Sequence, residues 1–92
     1  MIQNFRDRNA RRLFMGERVP AYQGFAERAY NKLVELDTAR SLRQLNSRRG
    51  NRLEALSGDR DGQHSIRINR QWRICFRWYN GDAYDVEIAD YH

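Results

Sequence analysis

The chain is 92 residues long, carries a formal net charge of +5 and holds one cysteine, Cys75. That length fits a single domain, residues 1–92, with a modest core burying about 60–65% of the unfolded surface, and the lone cysteine excludes an internal disulfide framework and fits a reducing compartment. No apolar run approaches the roughly 18–20 residues that cross a bilayer, and Met1 to Arg6 lack the apolar stretch of a secretory signal, so a soluble cytoplasmic protein with no membrane partner is expected.

Residues Ile2–Phe5 read as a short opening strand, and Asp7 to Phe14 as a short basic helix closed near Gly16. The only proline, Pro20, suits the first turn of a firmer helix over about Tyr22–Thr38. Within it Phe25, Ala29, Leu33 and Leu36 recur at helical spacing, with Tyr22, Ala26 and Tyr30 alongside. A further helical turn or two, Ala39–Leu45, presents Leu42 and Leu45. Asn46–Gly62 reads as a polar loop region that Leu53 and Leu56 pin to the core.

Three strands follow. His64, Ile66 and Ile68 alternate with Ser65, Arg67 and Asn69; Trp72, Ile74, Phe76 and Trp78 alternate with Arg73, Cys75, Arg77 and Tyr79. Asn80 and Gly81 signal a hairpin turn, and Tyr84–Tyr91 returns with Tyr84, Val86 and Ile88 as its apolar set. Helices first and an antiparallel meander afterwards give an α+β fold, with N-terminal helices packed on a small, mainly antiparallel sheet. On this alternation Arg67 and Arg73 project from the open face, away from the helices.

Charge is placed unevenly. Residues 40–77 hold ten arginines against Glu54, Asp59 and Asp61, a balance of +7, whereas residues 78–92 hold four acids and no base. Lys32 is the only lysine among 17 basic residues. Arginine offers a planar fork that grips phosphate at two points, where lysine is a point charge. A coding bias toward arginine would explain the preference but not the clustering, which points to a nucleic-acid partner. The chain then ends in Asp90, Tyr91 and His92. Proton-transferring groups beside fixed positive charge suit a phosphate-bearing substrate, with RNA the first candidate. Two widely separated histidines and one cysteine supply no metal-ligand cluster, and Gly58 to Gly62 lacks the lysine and hydroxyl of a phosphate-binding loop. No metal and no cofactor is expected. His64 reads as a sheet residue and Cys75 as a small buried or half-buried one.

Leu53 to Arg60, Ser65 to Asn69, Gln71 to Phe76, Asn80 to Tyr84 and the closing Glu87 to His92 together resemble a HigB-type toxin of the RelE superfamily. The strand Trp72, Arg73, Ile74 and the Asp90, Tyr91, His92 ending carry most of the specificity, and the likeness runs over essentially the whole chain. It implies a RelE-like fold of microbial ribonuclease type and a ribonuclease that cuts messenger RNA in the ribosomal A site. It also implies a helix-turn-helix antitoxin of HigA type, with operator DNA bound only through that antitoxin.

Metal-free RNA cleavage has the ribose 2′-OH attack the adjacent phosphate. It needs a base at the hydroxyl, an acid at the leaving 5′-oxygen and positive charge on the phosphate. Arg73 is the candidate for charge stabilisation, and Arg49, Arg52, Arg60, Arg67 and Arg70 for RNA binding. Arg28, on the helix, is expected to matter less. A strand arginine paired with Glu87 or Asp90 is the bland reading of Arg73. Tyr91 and His92 are candidates for proton transfer or base stacking, and Asp90 would orient His92, act as a base, or satisfy a neighbouring backbone amide. Some relatives have a histidine and a lysine in the segment that here reads Glu54, Ala55, Leu56, Ser57. Glu54 would then be the base, given a raised pKa, while Ser57 cannot replace a cation. Two rival readings remain: a non-catalytic RNA- or ribosome-binding module of the same fold, and a subunit whose main role is to hold a helix-turn-helix repressor.

Overall fold

Asp7 organises the first third of the chain. Its carboxylate accepts the Asn9 N–H at 2.9 Å and so caps helix α1, Arg8–Phe14. The other oxygen accepts the Tyr22 hydroxyl at 3.0 Å and the Ile88 N–H at 3.3 Å, tying the helix to a later turn and to the sheet. Burial, and then the Asp7 charge and hydrogen bond, push the Tyr22 phenol well above its usual value. The structure is a computed structural model and describes residues 1–90.

Pro20 does not open the long helix. It opens a separate 3-10 turn, Pro20–Tyr22, and Gly24, at φ +95°, turns the chain before helix α2, Ala26–Thr38. Ala29, Leu33 and Leu36 form the buried stripe of α2, and Phe25 and Tyr22 pack on Trp72 at centroid distances of 5.1 and 6.3 Å. Ser41 caps helix α3, Leu42–Ser47, by accepting the Gln44 N–H at 3.1 Å, and the Gln44 side chain accepts the Arg40 N–H in return.

Four antiparallel strands follow in the spatial order of the sequence: β1, Glu54–Ala55; β2, His64–Arg67; β3, Trp72–Tyr79; β4, Asp82–Asp90. The α+β arrangement is the one expected, and β1 is an addition inside what reads as loop. The β3–β4 turn has Asn80 at φ 51° and Gly81 at φ 85°, the two left-handed residues that match the twist of a tight hairpin. The opening segment joins the sheet by two isolated parallel bridges, Ile2 to Ala83 and Phe5 to Val86, not by a full strand. They cover the outer edge of β4, which would otherwise be open to pairing.

The expected apolar alternation in β4 is broken. Opposite Phe76 the register shifts between Cys75 and Arg77, with Asp85 at φ 53°. This bulge inserts a residue, so Ala83, Val86 and Ile88 face the helices while Tyr84 turns to the other side with Arg77. Both helical and sheet residues enter one buried cluster, including Leu13, Leu33, Leu36, Ile66, Ile74 and Phe76.

Candidate functional site

On the side of the sheet away from the helices, cross-strand pairing makes two rows: Glu54, Ser65, Cys75, Glu87, and beside it Arg67, Arg73, Ala89. This face was expected to be open. Ser65 and Cys75 are instead fully buried and Arg73 is only 8% exposed. The segment after β1 reaches this face. Its Leu56 and Gln63 are buried, and Arg60 reaches across to an ion pair with Glu87 while also donating to Gln63 at 3.1 Å. Burial pushes the pKa of the Cys75 thiol up, and both of these charges act on it, Arg60 lowering and Glu87 raising it.

Arg73 is therefore no solvated strand arginine. Its Nε donates to the Ser65 hydroxyl at 2.7 Å, and its Nη2 to the carbonyl of Arg52 at 2.6 Å and of Ser65 at 3.4 Å. Charge-assisted bonds of this length are among the stronger ones in proteins. To deliver that carbonyl, Arg52 sits at φ 43°, ψ 56°, a left-handed conformation that costs a non-glycine residue on the order of 1–2 kcal/mol.

The turn carrying Arg52 is fixed from behind. Asn51 is fully buried; its amide donates to the Leu45 carbonyl at 3.0 Å and to Glu35 at 3.3 Å, and its oxygen accepts from Lys32. Glu35 also pairs with Lys32 at 3.0 Å and Arg48 at 3.1 Å. A buried amide with all these partners locks the turn onto α2. On the opposite rim, the Asn69 side chain accepts the N–H groups of Gln71 and Trp72, both at 2.8 Å, and shapes the β2–β3 turn that carries Arg70.

Between these two turns lies a cavity of about 830 Å³, walled by Arg28, Lys32, Arg49, Arg52, Arg67 and Arg70. A second, of about 280 Å³, adds Glu54 and Arg73 and shares Arg52, Arg67, Asn69 and Arg70 with the first. The two make one trough running from α2 to the row of Arg73. Cations supplied by a helix, two turns and two strands converge there, a concentration of one sign that attracts a polyanion. Glu54 is an exposed β1 residue at the narrow end. Among the described residues no group of three metal-ligating side chains occurs.

Of the arginines read as RNA-binding, Arg49, Arg52, Arg67 and Arg70 line the trough, whereas Arg60 is turned to Glu87. Arg28, expected to matter less, stands on the same wall as they do. Asp90 pairs with Trp72, so it leaves the sheet on the face opposite Arg73, and its carboxylate accepts the Gln71 amide at 3.0 Å. Gln71 in turn lines the larger cavity, while Asp90 itself is not among the residues that wall either one. Tyr91 and His92 lie outside the described residues. Arg28 and Lys32 could have been found from their i, i+4 spacing, which puts them on one helix face. Nothing in sequence marks Asn51 or Ser65.

The profile of a family described as RelE-like toxin of the type II toxin-antitoxin system HigB matches residues 3–92. The chain belongs to this family. It is 38% identical over 95 aligned positions to an Endoribonuclease HigB of Proteus vulgaris, with all of both chains covered. It is 43% identical over 59 positions to a Toxin HigB-1 of Vibrio cholerae serotype O1, covering 64% of this chain and 62% of that relative. As a type II HigB toxin it has an antitoxin as partner. No described helix of this HigB-family chain is long and apolar enough to cross a membrane.

Proposed function

We propose that this HigB-family toxin is an endoribonuclease that cuts messenger RNA in the ribosomal A site by attack of the 2′-OH on the adjacent phosphate. The observation that carries the reading is the trough, in which cations from separate elements converge beside a carboxylate. The name of the Proteus vulgaris relative supports the same activity.

The larger cavity takes the sugar–phosphate backbone, with Arg28, Arg49, Arg52, Arg67 and Arg70 as phosphate contacts. At the narrow end Arg73 meets the phosphate under attack and stabilises the charge that builds on its oxygens. Glu54 takes the proton of the 2′-OH. Tyr91 and His92 supply the proton to the leaving 5′-oxygen or stack on a base, and Asp90 orients His92. The protein works as a single domain in the cytoplasm. It is restrained by a HigA-like helix-turn-helix antitoxin, through which alone it reaches operator DNA.

The test is induced expression of the toxin alone and together with its antitoxin, following growth and messenger-RNA integrity. Arrest with fragmented transcripts, relieved by the antitoxin, is the expected result. Normal growth with intact transcripts at confirmed soluble expression would leave a non-catalytic RNA- or ribosome-binding module.

A further inference from the structure

Arginine binds phosphate well only when its planar fork is held still, because its long side chain samples many rotamers. Here one edge of the Arg73 fork is occupied: Nε by the Ser65 hydroxyl at 2.7 Å and Nη2 by the Arg52 carbonyl at 2.6 Å. We propose that Ser65 and the left-handed backbone at Arg52 form a clamp that orients Arg73 toward the trough, making both of them positioning residues for the cleavage step. The consequence for catalysis rests on the endoribonuclease reading; the clamp itself does not.

Three features support a positioning role over a purely structural one. The Ser65 hydroxyl and the Arg52 and Ser65 carbonyls are neutral acceptors that fix the plane of the fork. A strand position this buried is ordinarily better filled by an apolar side chain, yet Arg73 at 8% exposure also lines the smaller cavity. Finally, the carbonyl comes from a non-glycine residue at φ 43°, where glycine would adopt the same backbone without strain. The strained residue is an arginine whose side chain lines both cavities. One residue thus contributes a cation to the trough and a backbone acceptor to the clamp, and the two contributions can be separated.

Arg52→Gly and Arg52→Val lose the same side-chain charge, but glycine keeps the left-handed backbone and a β-branched residue opposes it. On programmed ribosomes, Arg52→Gly should raise KM with kcat changed less than about threefold. Arg52→Val should raise KM similarly and also lower kcat by about 10–100-fold, the cost of a small misplacement. Ser65→Ala should lower kcat by a similar factor with KM nearly constant, and Ser65→Thr should recover most of it. Arg73→Ala gives the floor against which these losses are read. The second arm needs no activity: the Arg73 Nε–H resonance should be slow to exchange in the unchanged protein and fast in Ser65→Ala, and the Nη2 protons should be slow in the unchanged protein and in Arg52→Gly and fast in Arg52→Val. Guanidinium protons equally protected in all variants overturn the clamp. So does identical kcat for Arg52→Gly and Arg52→Val. Failure of the unchanged protein to cleave RNA overturns the endoribonuclease reading instead, and the resonance then decides the clamp alone.

Discussion

Replacing Arg28 by alanine should weaken RNA binding and flatten its salt dependence, whereas replacing Arg60 should do neither. Six trough cations, Arg28, Arg49, Arg52, Arg67, Arg70 and Arg73, are assigned to phosphates once Lys32 is set aside for its pairing with Glu35. At a slope of about −0.7 per phosphate contact on single strands, six contacts give roughly −4.2, a loss of about 300-fold in affinity between 50 and 200 mM salt. Arg28→Ala should bring the slope to about −3.5. Arg60→Ala should leave it near −4.2, because that guanidinium is committed to Glu87 and Gln63. The assay is fluorescence anisotropy of a 2′-O-methylated oligonucleotide, whose blocked nucleophile prevents cleavage, titrated at a series of salt concentrations. Equal effects of the two substitutions, or a loss confined to Arg60→Ala, would refute the trough as the phosphate track.

Asp7→Ala removes a helix cap and strands two donors, the Tyr22 hydroxyl and the Ile88 N–H, so it should cost about 2 kcal/mol in urea unfolding. Stability should also fall above about pH 10, the usual tyrosine value, because Tyr22 ionises more readily unfolded than folded. Its contribution is complete below that pH and is lost as pH rises toward the elevated folded value; Cys75, raised by burial, acts in the same sense from about pH 9. Unfolding curves from pH 8 to 11 should therefore slope less in Tyr22→Phe than in the unchanged protein. Deleting Tyr91 and His92 should abolish cleavage while anisotropy with the blocked oligonucleotide changes little, since the trough cations remain; a truncated protein that cuts at the normal rate would remove the tail from the mechanism.

Periodicity made the stripe Ala29, Leu33, Leu36 and the alternation of β3 legible, because each follows from one element burying one face. It could not show the bulge at Asp85, which turns Tyr84 outward, since strict alternation contains no signal for an inserted residue. Nor could it show that Arg73 is buried. The Arg52 carbonyl that holds it and the Arg60 that reaches Glu87 on the same face come from a segment whose polar composition reads as loop, and the Arg60 to Glu87 pair joins residues 27 apart. The clustering of arginine gave the chemistry of the trough, but membership was set by tertiary position. Arg60 belongs to the same sequence cluster as Arg67 and turns away; Arg28 lies far upstream and turns in.

The central claim is that the trough presents an RNA phosphate to its own 2′-OH. The most direct measurement is mass spectrometry of the new ends made by the purified toxin on programmed ribosomes, with a matched message carrying a single 2′-deoxy residue at the cut site. Attack by the 2′-OH predicts a 2′,3′-cyclic phosphate or 3′-phosphate on one fragment, a 5′-hydroxyl on the other, and no cutting of the deoxy-substituted message. Fragments with 5′-phosphate and 3′-hydroxyl ends, or cleavage that persists at the deoxy site, would contradict it.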